Sequence, residues 1–271
     1  MEDHRRAPNP IVLSHRDDHG VVTLTLNRPD ARNALSLDML GALRTELALA
    51  AQDERARVVV IAAAGGVFSS GHDLKEMTRR RGDSDGGDAF FSQLFRDCSD
   101  LMQEVVAHPL PVIARVQGVA TAAGCQLVAS CDLAIAAETV RFATPGVNIG
   151  LFCSTPMVAL SRSVGRKQAM EMLLTGDMIT ADDALRIGLV NRVVAQDDLE
   201  AETTALARQI ASKPRGTLRI GKQAFYRQLE MQLAEAYAHA SQVMVLNALN
   251  AEAKEGIGAF VEKRPPIWPE V

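Results

Sequence analysis

Apolar residues alternate with threonine from Val21 to Leu26 ("VVTLTL"), the period-two pattern of a strand. Pro29, Asp30 and Asn33 in the following "NRPDARNALS" predict a turn-rich loop. The period then changes. Met39, Leu40, Leu43, Leu47 and Ala50 form one stripe at helical spacing, which predicts a helix from Leu37 to about residue 51 with Ser36 as its cap. Three later runs are apolar without alternation, as expected of strands covered on both faces: "RVVVIAAAG" at residues 57–65, "VIARV" at 112–116 and "DLAIAA" at 132–137. Residues 90–107 place Leu94, Cys98, Leu101, Met102, Val105 and Val106 on one helical side, and Pro109 and Pro111 end the pattern. Strand, small-residue turn, helix and strand recur, which predicts an α/β fold with largely parallel strands.

From about Pro156 onward the pattern is mostly helical. Thr180 followed by Asp183 has the spacing of a capping box. Residues 222–254 read as a long, amphipathic, alanine-rich stretch. "RRRGDSDGGD" at residues 79–88 is polar and glycine-rich and predicts a mobile surface loop.

Length and composition narrow the function classes. A chain of 271 residues, 47% hydrophobic and 23% charged, suits one large domain or a domain with an appendage. A net charge of -4 gives no electrostatic case for nucleic acid or an acidic membrane surface. No apolar run is long enough to span a bilayer. Cys98, Cys125, Cys131 and Cys153 form no CxxC pair and have no zinc spacing, so free thiols in a reducing compartment are expected. The charged start, residues 1–9, lacks an apolar signal core, and a cytoplasmic protein is expected.

Chemistry concentrates in two small-residue segments. In "GVATAAGCQLVASCDLAIA", from Gly118, the residues Thr121, Ala122, Ala123 and Gly124 precede an apolar helix. A helix start leaves N–H groups unpaired, and small side chains leave the approach to them open. Ser69-Ser70-Gly71-His72 follows a buried strand in the same manner. If both loops aim an N–H at one carbonyl oxygen they form an oxyanion hole. The competing reading is that the small residues only let a helix pack closely on the sheet. No GxGxxG after a strand, GxxxxGK[ST], GxSxG or HExxH motif is present.

Six stretches occur in the order found in the crotonase family, the enoyl-CoA hydratases and isomerases. They are "LNRPDARNALS", "FSSGHDLKEM", "VQGVATAAGCQLVASCDLAIA", "FATPGVNIGL", "EMLLTGDMITADDALRIGLVNRVV" and "EGIGAFVEKRPPIW", spread along nearly the whole chain. The chain resembles that family throughout. The resemblance implies a spiral core of repeated ββα units (residues 1–200) and a C-terminal helical trimerisation region (201–271). It implies a homotrimer, with pairing of trimers into hexamers left open. It implies an acyl-CoA ligand of fatty acid metabolism, with coenzyme A as part of the substrate and neither prosthetic group nor metal. The thioester oxygen would lie between the backbone N–H groups of His72 and Ala123. CoA contacts carry over to Ser70, Asp73, Leu74 and Lys75, and, reaching a neighbouring subunit, to Phe260 and Lys263. The family has Gly where Ala123 stands, which a helical first turn tolerates and a positive φ would penalise by roughly 1 kcal/mol.

Two further positions depart from the family pattern. Its hydratases use two glutamates; here those positions are Gln126 and Gly146. Neither residue can serve as a carboxylate base, and a positioned acid or base contributes about 10²- to 10⁴-fold. Hydration by the usual route is therefore expected to be severely weakened, while backbone-held enolate stabilisation is expected to survive. "TAAGCQLVASCD" and "FATPGVNIGLFCSTP" resemble a branch of the family in which both glutamates are likewise missing. Gln126 either hydrogen-bonds a water or acyl oxygen or satisfies a nearby backbone group. Cys153 and Ser154 are possible nucleophiles without an evident base, and a buried, inert Cys153 is the plainer reading. The His72 imidazole reads as a loop hydrogen-bonder rather than a base. Asp73 and Asp132 read as structural. Arg79–Arg81 read either as a CoA-phosphate contact or as a solvated loop. A non-catalytic acyl-CoA-binding protein is the alternative function.

Overall fold

The computed structural model describes residues 10–269; the charged start on which the cytoplasmic expectation rested lies outside them. Ten strands and eleven α-helices follow in chain order among these residues. The first half comprises β1 (Val12–Arg16), β2 (Val21–Leu26), α1 (Leu37–Gln52), β3 (Val58–Ala63), β4 (Val67–Ser69), α2 (Leu74–Arg80), α3 (Asp88–Ala107), β5 (Val112–Val116), β6 (Val119–Thr121), α4 (Ala123–Ser130), β7 (Leu133–Ala137) and β8 (Arg141–Ala143). The second half comprises α5 (Ser154–Ser163), α6 (Arg166–Thr175), β9 (Ile179–Thr180), α7 (Ala181–Ile187), β10 (Arg192–Val194), α8 (Leu199–Ala211), α9 (Arg215–Gln228), α10 (Leu233–Ala248) and α11 (Ala251–Val261).

Two sheets run through the core, ordered β1-β2-β3-β5-β7-β10 and β4-β6-β8-β9. The first strands of successive units pair with one another in parallel, β3 with β5 and β5 with β7. The second strands do the same, β4 with β6 and β6 with β8. Each ββ unit is thus one step of a spiral, and the chain enters the next unit through a helix. Two-sided burial explains the unbroken apolar runs. Val59 and Ile61 of β3 face the main core with Leu43 and Leu101, whereas Val58 and Val60 face the other side and meet Ala207 of α8. The expected division at residues 200/201 falls inside α8, a helix packed on the large sheet.

Local signals act where they were read. The Ser36 hydroxyl accepts from the Met39 N–H at the start of α1. Thr180 and Asp183 form the full capping box of α7. The helical stretch 222–254 comprises parts of three helices, because the chain doubles back so that α10 packs on α9. The return brings the buried Glu252 onto the start of α9, where its carboxylate accepts from the Gly216 and Thr217 N–H groups. Residues 81–87 form the largely exposed surface connection between α2 and α3, with contacts at both ends. Arg80 and Arg81 lie over the Phe90 and Phe91 rings at 5.3 and 5.1 Å, and Asp85 accepts from the Gly87 and Ala89 N–H groups.

Candidate active site

The loop after β2 braces the loop after β4. Asn33, fully buried with φ 50°, donates to the Ala64 and Val67 carbonyls and accepts from the Arg28 N–H. The Ser70 N–H donates to the Arg32 carbonyl, and the Leu35 N–H to that of Gly71. Gly71 needs its own φ of +85°, and a Cβ on it would strike the Ala122 Cβ at 2.8 Å and approach the Ala123 nitrogen to 3.2 Å. The two small-residue segments therefore touch each other. Gly124 is a packing glycine: a Cβ there would lie 2.5 Å from the Ser69 carbonyl oxygen. Gly118 is another, since a Cβ there would collide with the Gly66 carbonyl.

Close packing dominates this segment: Ala123 is buried, and of residues 121–124 only Thr121 lines the cleft described below. Ala123 is the first residue of α4, and positive φ falls instead on Ala122 (φ 50°, ψ −121°), whose N–H donates to the Ala143 carbonyl. Among the described residues, neither the His72 nor the Ala123 N–H donates to any other group.

The His72 ring is fixed from two sides. Its Nδ1 lies 3.1 Å from the Leu35 carbonyl oxygen, which can only accept, so Nδ1 carries the proton. Phe95 of α3 meets the ring edge-on, with centroids 5.5 Å apart. Nε2 is buried and has no partner among the described residues. Burial, partly offset by the Leu35 carbonyl, lowers the imidazole pKa, so the ring is neutral at pH 7.

Gln126 is buried on α4, and its carboxamide oxygen takes only a 3.9 Å contact from the Cys98 thiol. Its side-chain nitrogen bonds no other described residue, so the carboxamide is not consumed by nearby backbone. Gly146 leaves no niche for a longer side chain. A Cβ there would lie 2.8 Å from the Cys153 sulfur and would also collide with the Leu151 carbonyl. Burial holds the Cys153 thiol pKa up, and pushes those of Cys98 and Cys125 to about 12. The four cysteines are free, and burial keeps these three protonated and poorly nucleophilic. Ser154 is exposed, with its hydroxyl 3.4 Å from the Phe152 carbonyl oxygen and no base beside it.

Ser70, His72, Asp73, Leu74 and Lys75 line one open cleft of about 1080 Å³. Arg28, Arg32 and Arg79 line it too; the sequence read the loop of Arg28 and Arg32 only as a turn. The Asp73 carboxylate caps α2, accepting from the Lys75 and Glu76 N–H groups, with Arg28 3.5 Å away. Phe260 and Lys263 do not line the cleft; Phe260 stands 84% exposed near the end of α11. Asp132 is remote, bonded to the Val112 N–H, the Lys222 ammonium and the Tyr226 hydroxyl. Among the described residues, no three His, Cys, Asp or Glu side chains gather as a metal site, and no helix is long and apolar enough to cross a membrane.

The family model for enoyl-CoA hydratase/isomerase matches residues 16–270. The chain is 51% identical to mouse enoyl-CoA hydratase domain-containing protein 3, mitochondrial, over 96% of its own length and 85% of the relative's. It is 48% identical to the human protein of the same name, over 97% and 86%. Among solved structures it resembles an enoyl-CoA hydratase from Mycobacterium smegmatis, with a TM-score of 0.91 and 53% identity over 96% of this chain and 99% of that one. It likewise resembles human enoyl Coenzyme A hydratase domain-containing protein 3, with a TM-score of 0.90 and 47% identity over 95% and 100%. The mouse and human relatives are named as mitochondrial proteins, which overturns the cytoplasmic expectation.

Proposed function

Because this chain belongs to the enoyl-CoA hydratase/isomerase family, we propose that it binds acyl-CoA thioesters and stabilises their enolate forms between the backbone N–H groups of His72 and Ala123. The observation that carries this reading is the pair of uncommitted amides, brought together by the contact of Gly71 with Ala122 and Ala123. Two fixed donors aimed at a developing oxyanion need no reorganisation during reaction, and losing one such donor costs about 10²- to 10³-fold. The cleft supports the same reading. Arg28, Arg32, Lys75 and Arg79 offer hydrogen-bond donors to the phosphates of CoA within a lining that also carries Asp30, Asp38, Asp73 and Glu76, and Ser70 and Leu74 flank its path. Asp73 contributes by fixing the start of α2.

Gln126 takes the place of one glutamate as a hydrogen-bond donor toward the acyl group, and Gly146 contributes no side chain. Hydration by a glutamate pair is therefore weak in this chain. The C-terminal helices carry outward apolar side chains, among them Phe225, Leu246, Ile257 and Phe260. They form the contact of a homotrimer, in which Phe260 and Lys263 serve a neighbour's cleft.

The test is a panel of acyl-CoA thioesters of increasing chain length, assayed with the purified protein for binding by calorimetry and for product by mass spectrometry. Binding is expected, with crotonyl-CoA hydration about 10²- to 10⁴-fold below that of a glutamate-bearing relative. Binding without any product favours the non-catalytic alternative. Failure of every thioester to bind overturns the proposal.

A further inference from the structure

A buried nitrogen without a partner is costly and calls for a reason. His72 Nε2 is such an atom among the described residues, and it belongs to the residue that follows Gly71, which packs against Ala122 and Ala123. The Leu35 carbonyl fixes the tautomer by taking the Nδ1 proton, so Nε2 presents a bare lone pair. Phe95 fixes the ring plane. Gln126 reaches α3 at Cys98, one turn beyond Phe95. The imidazole and the carboxamide thus border the same stretch of α3. His72 lines the cleft along Ser70 to Lys75 and also meets Phe95, so residue 72 links that cleft to the same stretch of α3.

On the acyl-CoA reading above, we infer that the His72 imidazole is the proton-transfer group at the acyl α-carbon, doing the work that glutamates at 126 and 146 would otherwise do. Nε2 takes the α-proton, the C–H electron pair becomes the Cα=C1 bond, and the carbonyl π pair moves onto the oxygen held by the two amides. Return of a proton to Cα reverses the step. Nothing is oxidised and the thioester C–S bond stays intact. The ring's neutrality at pH 7 suits this role. Among the described residues no charged side chain bonds Nε2: Asp73, next in sequence, is spent on α2 and Arg28, and the facing groups from α3 and the β2 loop are the Phe95 ring and the Leu35 carbonyl.

The experiment is α-deuterium incorporation into butyryl-CoA in D₂O, read by mass spectrometry, with butyryl-CoA binding measured in parallel by calorimetry. His72→Asn keeps an N–H for the Leu35 carbonyl and the backbone amide but has no base; His72→Gln serves as the second variant should the first not fold. Expected is exchange by the parent protein, with parent and variant compared at butyryl-CoA concentrations that calorimetry shows to saturate each. Exchange in the variant should fall by about 10²- to 10⁴-fold. Variant exchange equal to the parent's, or a parent that binds butyryl-CoA without exchanging it, overturns the assignment and leaves the amide pair standing. A parent that binds no thioester removes the acyl-CoA reading itself, and this inference with it.

Discussion

Gly146 faces the Cys153 thiol: the space a Cβ on residue 146 would take lies 2.8 Å from that sulfur, and the Leu151 carbonyl crowds it from the other side. The missing glutamate is therefore not a simple deletion that one substitution reverses. Gly146→Glu must displace residues 151–153, and overpacking of this kind costs roughly 1–3 kcal/mol. The expected outcome is a lower melting temperature and no gain in crotonyl-CoA hydration, even when combined with Gln126→Glu. A folded double variant with parental melting temperature and recovered hydration would show that the loop yields freely.

Ala122 carries strain that glycine would relieve. Its φ of 50° and ψ of −121° lie where L-residues rarely sit, at a cost of about 1–3 kcal/mol. Glycine recovers this but loses about 0.4–1 kcal/mol through a more disordered unfolded chain. Ala122→Gly is expected to raise the unfolding free energy by about 1 kcal/mol in urea titrations. A destabilised variant would mean that the Ala122 methyl is worth more as a contact than it costs as strain.

The long strands were legible in the sequence because burial on both faces leaves its own mark, as the alternating partners of Val58, Val59, Val60 and Ile61 illustrate. The second sheet was not, because β4, β6 and β8 are three residues long and too short to display a period. The return of α11 onto the start of α9 escaped for a different reason: it is held by Glu252 acting on Gly216 and Thr217, 35 residues away and more. The pairing of loop 69–72 with residues 121–124 was legible through the family pattern. Its details were not, since the free Nε2 of His72 depends on Leu35 and Phe95, and the closed niche at Gly146 on Cys153.

The contact between Asp132 and Lys222 ties α9 to the core. The ammonium, 8% exposed, lies 2.7 Å from the carboxylate and also donates to the Val105 and Leu110 carbonyls. Removing one partner of a buried pair leaves the other charge uncompensated, at about 3–5 kcal/mol. Asp132→Ala is expected to lose that much stability by chemical denaturation. It also strands the Tyr226 hydroxyl and the Val112 N–H. Losing less than about 1 kcal/mol would mean that water replaces the carboxylate without penalty.

Stability should fall as the medium is acidified below neutrality, and two histidines set the window. Burial holds the pKa of both His72 and His108 below the ordinary histidine value, about 6.5 in an unfolded chain. Between the folded and unfolded values the unfolded chain binds more protons, so stability rises with pH there and is lost as pH drops through about 6.5. Carboxylates held low by their partners, such as Asp17 and Asp183, act only in a more acidic range. Melting temperatures measured between pH 7.5 and 5.5 therefore isolate the histidines. His108→Gln keeps a donor for the Leu47 carbonyl, which lies 3.0 Å from Nε2, but does not titrate. Its melting temperature is expected to depend less steeply on pH than the parent's across this range. Parallel curves for the two proteins would place the acid sensitivity elsewhere in the chain.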